Sequence, residues 1–381
     1  MEKDKLILIV AGEASGDLHA ANLVREIKIL RPQTKFFGLG GKKLEENGVD
    51  LYFNIVELAV VGLFEVLKNL GKFREIFTGL LKESDTRKPD LAILVDYPGF
   101  NLRLALELKK KGIPVIYYIS PQVWAWGKER IKTIRSCVDL MLVVFKFEER
   151  LYKENSVPVE FVGHPLLDSV QPGLSKEELF RRYSLDARKT TFALLPGSRE
   201  KEVKLLLPVM LGAAEIIHKN SPGSQFLILR SRTVKEEVFH RITSCYRLPM
   251  IVLSDMAYDG IAASDFAIVA SGTATLETAI LGVPMVILYK ISFLTWAYLK
   301  TAIKIPYIGL VNVIRQKKFI EEFIQYDATP KKVSRYVLSA VADRQKINSI
   351  KEDLKRVAGT LGEKGASKRA AEAVVDFLNR K

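Results

Sequence analysis

The sequence predicts an α/β protein: two doubly wound parallel-sheet domains facing each other across a cleft, then a helical C-terminal tail. Three observations carry that expectation. Short runs rich in Val, Ile, Leu and Phe alternate with helix-period segments from Leu6 to Tyr289. The runs are apolar almost without interruption, as strands covered on both faces must be. The chain has 381 residues, 48% of them hydrophobic, which is ample for two cores at about 100–200 residues per domain.

The strands of the first series are expected at Leu6–Gly12, Lys35–Gly40, Leu91–Asp96, Pro114–Ser120 and Asp139–Val144. A second series follows Gly163-His164-Pro165, at Thr191–Ser198, Gln225–Arg230, Met250–Asp255, Phe266–Ser271 and Pro284–Tyr289. Between the two, Pro172 and Gly173 punctuate the stretch Gln171–Glu178 as a linker. From Thr329 onward the pattern is helical and basic, with no further strand. The expected domains are therefore 1–168, 169–328 and a basic helical tail, 329–381.

Charge and cysteine content narrow the function. The formal net charge is +14, and it is uneven: residues 1–168 carry 25 basic and 23 acidic side chains, residues 169–381 carry 33 and 21. The second half should meet the more anionic ligand. Cys137 and Cys245 stand far apart, which supports neither a disulfide framework nor a Cys-rich zinc site and suits a reducing cytoplasm. The apolar run Leu6–Ala11 reads as a first strand rather than a signal peptide. Long uncharged stretches, such as Thr278–Tyr289, fall short of the roughly 20 residues a spanning helix needs. The expectation is a cytoplasmic protein, soluble or resting on a membrane surface.

Five motifs carry chemistry. The turn Ala11–Asp17 (AGEASGD) follows a strand and opens a helix, so Ser15, Gly16, Asp17 and His19 fall where a polar ligand can approach backbone and helix N-terminus. It reads equally well as an ordinary tight βα loop. It is not GxGxxG, and no GxxxxGK[ST] occurs, which counts against dinucleotide and nucleoside-triphosphate enzymes. Asp96, in VDYPGFN, ends a strand before Pro98-Gly99. A carboxylate there can act as a general base, and taken alone it reads first as a turn or N-cap residue. In ALLPGSREKEV, Gly197, Ser198 and Arg199 join strand to helix, combining backbone N–H groups, a helix dipole and a guanidinium as a diphosphate requires. SGTATLETA repeats the device with Ser271, Gly272 and Thr273, and sets Glu277 about one and a half turns into the helix, where it can accept from ribose hydroxyls. Trp124 and Trp126 lie in SPQVWAW before a basic helix, with cleft packing as the default reading. The four histidines show no metal-ligand spacing, and His164, in its GHP turn, reads as structural. No metal and no cofactor is expected.

Taken in order, AGEASGDLHAANL, ELAVVGLFEVL, VDYPGFN, YYISPQVWAW, VGHPLLD, LLPGSR, ASGTATLE and GLVNVI resemble the lipid-A-disaccharide synthase family from about Ile9 to Gln325. The resemblance implies the two-domain, Rossmann-like GT-B architecture and inverting, metal-independent transfer. The donor would be UDP-2,3-diacylglucosamine and the acceptor 2,3-diacylglucosamine 1-phosphate, giving a β-1,6 disaccharide and UDP. It implies Asp96 as general base, Arg199 at the diphosphate, Glu277 at the ribose, and Asn312 as the asparagine of the family's PN motif beside the acceptor. It implies peripheral association with the inner membrane as well. In Val60–Phe77, apolar residues recur at helical spacing with Lys68, Lys72 and Arg74 interleaved. Leu63, Phe64, Val66 and Leu67 are the expected contacts with an anionic membrane surface, although such a stripe on an anonymous helix usually packs on a core.

The chain departs from the family's pattern in two places. LPNLLAG reads LVNVIRQ, so Val311 replaces proline and Arg315-Gln316 replace a small pair; DAPDFN reads DYPGFN, so Gly99 stands where the family has a second acid. Two rival readings are another UDP-sugar enzyme of the same architecture, such as a UDP-N-acetylglucosamine 2-epimerase, and a basic nucleic-acid-binding protein. SPQVWAW and DYPGFN speak against the first. The lack of interleaved aromatic and basic residues speaks against the second, so no nucleic-acid partner is expected. A homodimer is compatible with the sequence.

Overall fold

The structure, a computed structural model, describes residues 4–56, 70–124, 129–291 and 306–380. Backbone packing divides the chain into two compact units, Met1–Asp168 with Leu361–Lys381, and Ser169–Thr360.

The first unit holds a seven-stranded parallel sheet: β1 (Leu6–Ala11), β2 (Lys35–Gly40), β3 (Asp50–Asn54), β4 (Leu91–Val95), β5 (Val115–Tyr118), β6 (Leu140–Val143) and β7 (Val159–Phe161), in the order β3-β2-β1-β4-β5-β6-β7. The central strands are covered on both faces, and Ile7–Ala11 and Leu91–Val95 are fully buried. That is why their apolar runs show no alternation. The second unit repeats the arrangement with β8 (Thr190–Leu195), β9 (Ser224–Arg230), β10 (Met250–Ser254), β11 (Phe266–Ala270), β12 (Met285–Tyr289) and β13 (Glu322–Ile324), in the order β10-β9-β8-β11-β12-β13, again all parallel. Counted within its own unit, each sheet begins 3-2-1-4-5-6, the doubly wound order in which successive crossovers turn opposite ways from the first strand.

All ten expected strands are present. The three that periodicity did not show, β3, β7 and β13, are each at a sheet edge. They are three to five residues long and carry polar residues (DLYFN, VEF, EFI). A strand paired on one side only is under less demand to be apolar.

The C-terminal helices do not form a tail of their own. Pro330–Ala342 packs along Glu200–Asn220, and Arg344–Thr360 packs on Thr273–Ile280, all within the second unit. The chain then returns, and Ala366–Asn379 packs along Ala14–Leu30 in the first unit. Asp168 fastens this return by accepting from the N–H groups of Gly365 (2.6 Å) and Ala366 (3.2 Å) at that helix's start. Arg369 donates to the Val162 carbonyl at 2.8 Å.

Candidate active site

In a doubly wound sheet, ligands collect beyond the carboxyl ends of the strands where the order reverses. In the first unit those strands are β1 and β4, followed by the Ala11–Asp17 turn and by Asp96-Tyr97. In the second they are β8 and β11, followed by Gly197-Ser198-Arg199 and by Ser271-Gly272-Thr273. The expected motifs thus occupy equivalent positions in the two units.

Asp96 follows β4 in a left-handed conformation, φ 48°, and Tyr97 repeats it at φ 48° as the N-cap of helix Pro98–Lys110. Two consecutive non-glycine residues of this kind are held against their preference, at about 1–3 kcal/mol each. Three bonds hold the backbone. The Asp96 N–H donates to the Tyr118 carbonyl at 3.0 Å. Its own carbonyl accepts from Asn101 Nδ2 at 2.8 Å and from the Tyr117 hydroxyl. Asn101 and Tyr117 are both fully buried, and sequence reasoning missed them because a buried Asn or Tyr carries no periodic signal. The Tyr97 ring lies against Gly12, where any Cβ would clash with it. The β1 turn and the β4 turn are therefore packed together. Burial pushes the Asp96 carboxyl up to about 6, the Glu13 carboxylate adds to the rise, and the Tyr97 N–H opposes it. A half-buried carboxylate poised there is suited to take a proton near neutrality.

The other residues expected on this edge divide. Ser15 is exposed and Gly16 buried. Asp17 is buried and spoken for: it accepts from the N–H groups of Gly41 (2.7 Å), Lys43 (3.0 Å) and Leu44 (3.3 Å), capping the helix Lys42–Glu46. These bonds hold the turn after β2. Burial lowers His19 to about 4, and its Nδ1 has no hydrogen-bond partner among the described residues. His164 is lowered to about 3 by burial and by His19. It accepts from the Leu166 N–H at 3.2 Å and its ring lies tilted against Phe145, with centroids 5.1 Å apart, as a structural residue would. Gly99 is exposed, and an added Cβ would meet no atom within 4 Å.

A carboxylate not singled out from the sequence lies in the first turn of the helix Lys146–Glu154 that follows β6. Glu148 is 1% exposed and burial pushes it up to about 8. It accepts from Trp124 Nε1 at 3.1 Å, so the first tryptophan of SPQVWAW packs on its own unit. Trp126 lies outside the described residues, as do Leu63, Phe64, Val66 and Leu67. Of the amphipathic stripe, Phe73 and Phe77 pack against the first core.

In the second unit Gly197 turns the chain at φ 108° and the Glu202 side chain covers it, within 2.6 Å of where a Cβ would sit. Only glycine fits there. Arg199 is exposed and pairs with Glu202 at 3.4 Å. Burial raises the hydroxyl of Tyr289 at the end of β12, the Glu202 carboxylate adds to the rise and Arg199 opposes it. The N-caps of the helices Glu200–Asn220 and Thr273–Ile280 are Arg199 and Gly272, and neither supplies a side-chain cap. No N-cap side chain therefore competes for their first-turn N–H groups, as an anion site needs, although the Thr275 N–H already bonds to the Gly272 carbonyl at 3.1 Å. Glu277 is half-buried, raised by burial, and accepts from the Tyr258 hydroxyl at 3.2 Å.

Asn312 is fully buried with both ends of its amide in use. Nδ2 donates to the Ile320 carbonyl (2.8 Å) and to Glu322 Oε1 (2.7 Å), while Oδ1 accepts from the N–H groups of Phe319 (3.1 Å) and Ile320 (3.0 Å). Glu322 in turn holds the N–H groups of Ile308 and Gly309. Asn312 therefore secures the loop around β13. The altered residues beside it fit locally. Gln316 takes the left-handed position, φ 51°, where the family's pattern has glycine, and Arg315 pairs with buried Asp353 at 2.9 Å. Among the described residues no three His, Cys, Asp or Glu side chains gather as metal ligands.

The sequence profile described as lipid-A-disaccharide synthetase matches residues 7–377. A lipid-A-disaccharide synthase of Syntrophus aciditrophicus is 45% identical over 377 residues, covering 99% of this chain and 98% of that protein. Among solved structures, a UDP-GlcNAc 2-epimerase from Neisseria meningitidis bound to UDP-GlcNAc aligns with TM-score 0.61 at 11% identity, over 99% of each chain. The calicheamicin glycosyltransferase aligns with TM-score 0.62 at 14% identity, over 100% of this chain and 99% of the other. At such identities the two structures attest the fold alone.

Proposed function

The chain belongs to the lipid-A-disaccharide synthase family, glycosyltransferases of lipid A biosynthesis, and from that premise we propose how its residues divide the reaction. The donor is UDP-2,3-diacylglucosamine and the acceptor 2,3-diacylglucosamine 1-phosphate. Asp96 accepts the proton of the acceptor 6-hydroxyl as that oxygen attacks the anomeric carbon, the C–O bond to UDP breaks, and configuration inverts. Arg199 and the first-turn N–H groups after Ser198 and Gly272 stabilise the charge gathering on the departing diphosphate. Glu277 receives the ribose hydroxyls. The chain's own cation and helix termini, rather than a divalent ion, carry the leaving-group charge in this reading.

One observation supports it above the rest: in each unit the motifs occupy the loops after the two strands that flank the reversal of strand order. The acid–base group stands on one unit and the anion-binding groups on the other. A carboxylate raised to about 6 is ionised at neutral pH yet basic enough to accept a proton. The substrates' acyl chains suggest docking on an anionic membrane surface through Leu63, Phe64, Val66 and Leu67; no helix of the described residues is long and apolar enough to cross a membrane.

The test is UDP release from the diacylated donor, with and without the monosaccharide-phosphate acceptor, in the presence of a chelator. Release that needs the acceptor and survives chelation is the expected result. Release without acceptor, or epimerisation of UDP-N-acetylglucosamine, would assign the site to a different reaction.

A further inference from the structure

Glu277 is a carboxylate on a helix that begins at an open anion-binding end, and among the described residues one group donates a hydrogen bond to it. That group is the Tyr258 hydroxyl, 3.2 Å from Oε1. Tyr258 sits in the first turn of the short helix Ala257–Ala262, which follows β10 and packs against Thr273–Ile280. Its hydroxyl has a second partner: the Ser169 side chain bonds to the phenolic oxygen. The two contacts set the direction of the chain. Ser169 supplies a proton to the phenolic oxygen, which leaves the phenol's own proton for Glu277.

This matters because a glutamate has three side-chain torsions and two equivalent oxygens. Unrestrained, it presents a spread of geometries, and a half-buried carboxylate raised by desolvation is also easier to protonate. A protonated carboxyl can donate to one ribose hydroxyl but accepts poorly from two. A hydrogen bond from Tyr258 opposes both tendencies, because it favours the ionised form and fixes one oxygen.

Taking Glu277 as the ribose ligand, the reading on which this rests, we propose that Tyr258 is a specificity-determining positioning residue for the donor nucleotide. By occupying Oε1 it commits Oε2 to the ribose hydroxyls and makes the site select ribose over deoxyribose. A site built to receive a hydroxyl rejects the analogue that lacks it far more strongly than an apolar pocket can. Tyr258 need not touch the donor. Its effect passes through Glu277 and appears only with a nucleotide that carries the hydroxyls.

Calorimetric affinities of UDP and of 2′-deoxy-UDP and 3′-deoxy-UDP, measured for the full chain, Tyr258→Phe and Glu277→Gln, decide the matter. The unaltered protein is expected to prefer UDP over at least one deoxy analogue by about 10-fold or more. Tyr258→Phe should weaken UDP by about 3- to 10-fold while leaving that analogue nearly unchanged, so the ratio falls. The thermal midpoint should hold, since the change removes one oxygen from a half-buried ring. If Glu277→Gln collapses the ratio and Tyr258→Phe leaves it intact, or weakens all three nucleotides equally, the role of Tyr258 is refuted while Glu277 keeps its place. If Glu277→Gln leaves the ratio unchanged, the ribose assignment itself fails, and this inference with it.

Discussion

Replacing Asp96 by Asn tests the proposed base through two quantities that move in opposite directions. Burial and Glu13 raise the Asp96 pKa from 3.8 to about 6. At about 1.4 kcal/mol per unit, ionising it costs the folded protein up to roughly 3 kcal/mol relative to the unfolded chain. The sign follows from linkage. The folded state holds the proton more tightly, so this contribution to stability is fully present below about pH 4 and is lost as the pH rises through about 6. Asn never ionises and keeps an acceptor oxygen for the Tyr97 N–H. Discounted for its partial exposure, the substitution should stabilise the first unit by about 1–3 kcal/mol at pH 8 and by little near pH 4. That is a rise in Tm of about 2–10 °C for a unit of this size. Turnover should fall by about 10²-fold or more with UDP affinity retained, and the unaltered enzyme should lose activity as the pH drops through about 6. Scanning calorimetry at pH 4.5 and pH 8, beside initial rates, reads both. A variant with near-normal turnover removes Asp96 from the mechanism. A variant no more stabilised at pH 8 than at pH 4.5 shows that the carboxylate is not the desolvated, ionised group described here.

Four further outcomes follow from the same geometry. Arg199→Ala, at an exposed side chain, should weaken UDP by about 10-fold or more in calorimetry with no change in Tm; unchanged affinity would place the diphosphate elsewhere. Asn312→Ala should cost about 2–4 kcal/mol through its lost buried bonds while KM for both substrates stays put. A raised acceptor KM in a stable variant would put Asn312 in contact with the acceptor. Glu148, raised to about 8 by burial, makes a contribution to stability that is lost as the pH rises towards and through 8. Glu148→Gln should flatten the decline of Tm between pH 6 and pH 9, and an unaltered decline would show that Glu148 does not titrate there. Phe64→Ser with Leu67→Ser should reduce sedimentation with anionic vesicles without early melting; a strongly destabilised variant, or one that stays bound, removes the docking assignment.

How far function can be read from order along the chain is clearest at Asp96 and Asn312. Asp96 was legible as the residue ending an apolar run before Pro98-Gly99, because a strand's end and the turn after it are local events. Its left-handed backbone, and the Tyr117 and Asn101 bonds that hold it, join β4 to β5 and to the following helix, and no local pattern records them. Asn312 and Asp17 stand in legible motifs, but the motifs do not record their partners: three backbone N–H groups for Asp17, and two N–H groups, the Ile320 carbonyl and the Glu322 carboxylate for Asn312. A buried polar group must find partners, and which ones it finds is a property of packing.

The sequence by itself determined the strands that are buried on both faces, the turns after them and the charge excess of the second half, because apolar runs, Pro-Gly punctuation and composition act over a few residues. Only the tertiary structure decided the rest. It placed the edge strands β3, β7 and β13 and sent the last helix back to the first unit. It also raised Asp96, Glu148 and Glu277 by burial and brought Tyr258 to Glu277. Desolvation and long-range hydrogen bonds depend on what surrounds a residue in space, and chain order leaves those surroundings open until the two sheets have formed.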